Sequence, residues 1–83
     1  MSPELETLDQ LLCGDFPLSL IRSLFAEEQR FVRGVLAMLA TGEVRLLDSD
    51  CAEVPRWQWQ EVLKAASTSH YLSITDLGAH RIA

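Results

Sequence analysis

Apolar residues at Phe31, Val32, Val35, Leu36 and Leu39 fall on one face of a helix, and Gln29, Arg30 and Arg33 fall on the other. This pattern predicts a helix from about Glu27 to Thr41. Gly42 ends it, because glycine enters the left-handed conformation after a helix with the least steric cost. Beyond Gly42 the period changes to two. Val44 and Leu46 alternate with Arg45, and Asp48-Ser49-Asp50 offers short side chains that bond the backbone of a tight turn before Ala52-Glu53-Val54 returns. A β-hairpin is expected over residues 43–54.

The same reading extends to both ends of the chain. Leu5, Leu8, Leu11 and Leu12 form a helical stripe preceded by Ser2 as a cap, Pro3 in the first turn and Glu4 where the helix dipole favours an acid. A helix is predicted over 3–13, closed by Gly14. Asp15-Phe16-Pro17 is extended, since the residue before a proline is pushed out of the helical region. Leu18, Ile21, Leu24 and Phe25 predict a second helix over 18–25, with Ser19 offered as its cap. Neither Gly nor Pro separates it from the third. Two helices are nevertheless expected, because one straight helix would leave Phe25 or Phe31 exposed.

Pro55 opens a fourth helix over 55–66, with Trp59, Val62, Leu63 and Ala66 inward and Gln58, Glu61 and Lys64 outward. Trp57 precedes Trp59 by two positions, so the indoles point about 200° apart on a helix of about 3.6 residues per turn. One of the two is therefore expected on a different surface, unless both rings cover the small core from adjacent sides. Tyr71-Leu72-Ser73-Ile74 alternates as a short strand over 71–74, and Thr75 can cap a final turn through Gly78. The expected fold is α+β, mostly α. It forms a single domain over 1–83, with a three-helix core, one hairpin and an additional C-terminal helix.

Composition narrows the classes of function. Eighty-three residues lie near the lower limit for a core unsupported by metals or disulfides, and 48% hydrophobic against 23% charged residues is too apolar for disorder. No apolar run approaches the roughly 18 residues that span a bilayer. Met1-Ser2-Pro3-Glu4 lacks the basic and apolar segments of a signal peptide, so a cytoplasmic location with no membrane partner is expected. Cys13 and Cys51 lie far apart and read as free thiols, and His70 and His80 adjoin neither, so no metal is expected. Nor does any motif suggest catalysis. A Gly-rich phosphate loop, a nucleophile elbow and HExxH are all absent, Cys51 with His70 has no activating context, and Asp48 with Asp50 sits in a turn where solvation is expected. A non-enzymatic protein without a cofactor is expected.

The order of helix, extended connector, helix, helix and hairpin resembles a winged helix-turn-helix domain. The resemblance is carried by Pro17-Leu18-Ser19, by Phe31 through Leu39, by Gly42-Glu43-Val44-Arg45-Leu46-Leu47, and by the closing Tyr71 through Gly78. It implies a winged-helix-like core in which the third helix enters a DNA major groove. On that reading Gln29, Arg30 and Arg33 contact DNA and Arg45 serves the wing.

Charge opposes that use. The net charge is −5, and Glu4, Glu6, Asp9, Asp15, Glu27 and Glu28 stand against Arg22 alone in residues 1–29. Glu27 and Glu28 lead the third helix, and Asp48 and Asp50 mark the wing tip, where each would face phosphate. Val54-Pro55-Arg56-Trp57-Gln58-Trp59 suggests another role. Tryptophan and arginine are enriched at the centres of protein interfaces, so Trp57, Arg56 and Gln60 are candidate contacts for a protein partner or a second copy. The leading expectation is a protein-interaction module, with a DNA-binding regulator as the alternative.

Overall fold

The computed structural model describes residues 2–82. The chain runs α1 (Pro3–Leu11), β1 (Phe16–Pro17), α2 (Leu18–Arg22), α3 (Glu28–Thr41), β2 (Val44–Leu47), a 3-10 turn (Arg56–Gln58), α4 (Trp59–Ala65), β3 (Tyr71–Ile74) and α5 (Asp76–Ile82). The fold is α+β and mostly helical, compatible with a winged-helix-like core.

Local chemistry explains most of the helix ends. Ser2 Oγ accepts from the Leu5 N–H at 3.2 Å, and Gly42 turns the chain out of α3 at φ 82°. Pro17 occupies the cap position of α2 and makes no side-chain bond there, so Ser19 is not the cap. The chain leaves α2 through single turns. Arg22 Nη1 donates to the Phe25 carbonyl at 2.9 Å, and Glu27 is extended before α3 begins. This break lets both phenylalanines enter the core, where their rings meet edge to face at 5.6 Å. Such an edge-to-face contact adds to the stabilisation from area burial alone.

The sheet has the order β1-β3-β2 and is antiparallel throughout, with β3 in the centre. Leu46 and Phe16 both pair with Leu72, and Val44 pairs with Ile74. The hairpin expected over 43–54 is therefore a narrower feature. The return segment makes one isolated bridge, Leu47 to Glu53, supported by the Val54 N–H on the Leu46 carbonyl at 2.9 Å. The full ladder of β2 forms with β3, after the 3-10 turn and α4 have intervened.

β2 meets both segments, one along each edge. Leu46 and Leu72 are almost fully enclosed in the full ladder with β3, whereas Ala52 and Glu53 are exposed and only Val54 of the return segment is buried. The turn itself is tight. Asp48 Oδ1 accepts from the N–H groups of Asp50 at 2.8 Å and Ala52 at 3.1 Å, and Cys51 takes a left-handed φ of 64°.

Leu8, Leu11, Leu18, Ile21, Phe31, Val35, Leu63 and Leu72 lie at the centre of the core, so the first four helices and the central strand contribute to it. α5 is longer than the single turn predicted through Gly78. Thr75 Oγ1 accepts from the Gly78 N–H at 3.2 Å, and the helix continues until Ile82 reaches the edge of the core.

Candidate interaction surface

The two tryptophans are two positions apart in the chain and differ in their surroundings. Pro55 precedes the 3-10 turn, and α4 begins at Trp59. Trp59 Nε1 donates to the Val54 carbonyl at 2.9 Å, and the Arg56 guanidinium lies 5.5 Å from the Trp59 ring centroid. This anchors Trp59 against the body with a cation over its face. Trp57 turns the other way and is 80% exposed, more than any other large hydrophobic side chain among the described residues.

Gln60 does not accompany Trp57. It lines a groove of about 450 Å³ between α3 and α4, beside Gln29, Arg33 and Lys64, with Val32 and Leu36 also in the lining. Residues expected to serve rival functions thus meet on one surface. Gln29 and Arg33 were candidates for DNA, and Gln60 for a protein.

The remaining arginines point to separate environments. Arg30 Nη2 stands 3.7 Å from Glu4 Oε1, across the close approach of α1 to Gly34 of α3. Arg45 Nε stands 3.6 Å from Glu53 Oε1, on the outer edge of β2. Arg33 makes no ion pair among the described residues. Arg30 and Arg33 share a cleft of about 550 Å³ with Glu4, Glu27, Glu43 and Arg81, so three acids answer three arginines there. Arg45 lines a different cleft with Trp59, Asp76 and Leu77. Arg45 is thus parted from the cleft that Arg30 and Arg33 share.

Glu43 received no role from its place in the sequence, yet it is one of two buried polar or charged residues among those described. Arg81 Nη1 donates to its Oε2 at 2.6 Å, and Thr41 Oγ1 donates to its Oε1 at 2.7 Å. Burial pushes the carboxyl pKa up, but the bonds from Arg81 and Thr41 and the Arg81 charge outweigh it and hold the value below the ordinary one. This cluster binds α5 to the corner between α3 and β2.

A second apolar feature lies at the opposite end of the sequence. Gln10, Phe16, Leu20, Ile21, Ser23 and Leu24 enclose a cleft of about 220 Å³ where α1, β1 and α2 meet. Leu20 is 55% exposed at its mouth. Its place off the Leu18, Ile21, Leu24 and Phe25 stripe is the one sequence signal that singles it out.

Reactive groups are scattered. Cys13 and Cys51 are free and exposed, and His70 Nδ1 lies 3.0 Å from Ser67 Oγ in the turn before β3. Among the described residues no group of three or more His, Cys, Asp or Glu side chains could hold a metal ion, and no helix is long and apolar enough to cross a membrane. Comparison of the chain with family models, with curated proteins and with solved structures finds no match.

Proposed function

We propose that this chain is a non-enzymatic protein-interaction module with a winged-helix-like core, and that Trp57, with Arg56 beside it, is its principal contact. The exposure of Trp57, at 80%, carries this reading. An indole left in water keeps a large apolar area hydrated, and interfaces draw much of their free energy from such side chains when they are buried on binding. The flanking chain is held in place by Pro55 and by the Trp59 bond to Val54, so little ordering would be required of the anchor. Two exposed free thiols suit a reducing, cytoplasmic compartment.

DNA binding through Gln29, Arg30, Arg33 and Arg45 draws less support. Arg30 and Arg45 already face Glu4 and Glu53, and the net charge of −5 works against a phosphate surface.

Affinity capture from cells expressing the protein tests the proposal. Wild type and Leu77→Ala, which alters another exposed apolar residue, should retain a common partner that Trp57→Ala loses. Equal recovery with all three baits would refute it.

A further inference from the structure

The 7 lysines and arginines of the chain are not equally engaged. Arg30, Arg45 and Arg81 face Glu4, Glu53 and Glu43, Arg22 donates to the Phe25 carbonyl, and the Arg56 guanidinium lies over the Trp59 ring. Arg33 and Lys64 are left. Both are exposed, and neither makes an ion pair among the described residues. On one side Arg33 borders the cleft of Glu4, Glu27 and Glu43, yet none of these acids pairs with it. On its other side it meets Lys64, because both line the groove of about 450 Å³ between α3 and α4. Glu28 is the one acid in that lining, so the groove keeps an excess of positive charge on a chain whose net charge is −5.

The two rims are built alike. Arg33 follows Gln29 by four positions on α3, and Lys64 follows Gln60 by four on α4, so each helix presents an amide and, about one turn on, a cation along the same face. Between the rims Val32 is buried and Leu36 half-buried, which gives the groove an apolar floor. Each part asks for a different group. The floor takes an apolar side chain, and the cations take carboxylates. An exposed glutamine amide both donates and accepts, which matches the N–H and C=O groups of a peptide main chain.

We infer that this groove binds an acidic peptide segment of another protein, with an apolar side chain on Val32 and Leu36 and flanking carboxylates on Arg33 and Lys64. Gln29 and Gln60 bond its main chain. Nucleic acid fits less well, since phosphates gain nothing from the apolar floor and are repelled by Glu28. The groove is a second contact surface beside that of Trp57 and does not depend on it.

Selection from a library of short random peptides displayed on phage, with the full chain as bait, tests this. Recovered peptides should be enriched in Asp and Glu next to apolar residues. A synthetic copy of an enriched peptide should bind wild type in solution and bind more weakly as salt rises. Its affinity should fall by about tenfold or more in the double variant Arg33→Glu with Lys64→Glu, and should be unchanged in Trp57→Ala. Both reversed positions are exposed and unpaired, so the variant should melt as wild type does. If it does not, Arg33→Gln with Lys64→Gln removes the same charges without reversal and should also lose binding.

Three results would overturn the inference: no enrichment, enrichment of peptides that lack acids, or peptides that bind the charge variants as tightly as wild type. Peptides that need Trp57 but not Arg33 or Lys64 would place the peptide site at the indole and overturn it as well. So would duplex DNA that binds saturably and is lost with the same two substitutions. Recovery of a Trp57-dependent partner in the separate capture experiment is unaffected by any of these outcomes.

Discussion

Arg81 Nη1 lies 2.6 Å from Glu43 Oε2, joining the last turn of the C-terminal helix to the residue that follows Gly42. The pair is asymmetric. The Glu43 side chain is 7% exposed and that of Arg81 51%, so the carboxylate depends on this partner more than the guanidinium does. Thr75 strengthens the same junction, with its N–H on the Glu43 carbonyl at 3.1 Å and its hydroxyl on the Gly42 carbonyl.

Arg81→Ala should lower stability by about 1–2 kcal/mol. This is the lower part of the range for charged hydrogen bonds, because half of Arg81 remains in solvent. Chemical denaturation measures it. Hydrogen exchange should show the largest loss of protection in α5.

The same pair sets a dependence on pH. Glu43 has a folded pKa below its ordinary value of 4.5, so the folded state holds the ionised form more tightly than the unfolded state does. Its contribution is complete above the unfolded value and is lost as pH falls through the lowered folded value. The stability difference between wild type and Glu43→Gln should stay constant from neutrality to about pH 5 and shrink below that. Urea unfolding at a series of pH values would reveal it, and a difference that never shrank would remove Glu43 as its source.

Gly78 and Gly42 should respond differently to alanine. A Cβ at Gly78 would lie 2.2 Å from the Glu43 carbonyl oxygen, a backbone atom that cannot swing aside. Gly78→Ala should therefore displace α5 and cost about 3 kcal/mol, at the upper end of ordinary overpacking. At Gly42 a Cβ meets nothing within 4 Å, and the cost of Gly42→Ala comes from its φ of 82° alone, about 1 kcal/mol. Thermal melts of the two variants would rank them.

The tryptophans should divide stability from binding. Trp59→Phe removes the Nε1 bond to the Val54 carbonyl and should cost about 1 kcal/mol. Trp57→Ala should change stability by less than about 0.5 kcal/mol, as for other exposed positions. A large loss of stability in Trp57→Ala would assign that ring to the core.

Anisotropy measurements with mixed-sequence duplex DNA should show no saturable binding even at low salt, where the non-specific electrostatic attraction is strongest. Saturable binding that weakens steeply with salt, and that Arg33→Ala abolishes, would restore the regulator reading.

Features that depend on neighbouring residues were legible in the sequence. Ser2 and Thr75 cap helices through bonds to residues three positions ahead, and Gly42 turns the chain alone. The opposed directions of Trp57 and Trp59 follow from helical geometry over two residues. The face of α3 is likewise set by a repeat within the helix. In each case the deciding interaction spans about one turn, so the local order of residues contains it.

What the fold brings together across the chain was not legible in this way. The burial of Leu72 opposite Leu46 accompanies a full ladder between β2 and β3, while Ala52-Glu53-Val54 adds a single bridge at Glu53. Glu43 became a buried acid because α5 returns with Arg81. Arg30 and Arg45 lost their prospects as free cations when Glu4 and Glu53 arrived beside them. The sequence by itself determined the first four helical stretches, the Ser2, Gly42 and Thr75 caps and the α+β class, through propensity and periodicity acting over a few bonds. Only the tertiary structure decided the strand pairing, the ion pairs and the cleft beside Leu20, because each depends on apolar area and charge brought together from distant parts of the chain.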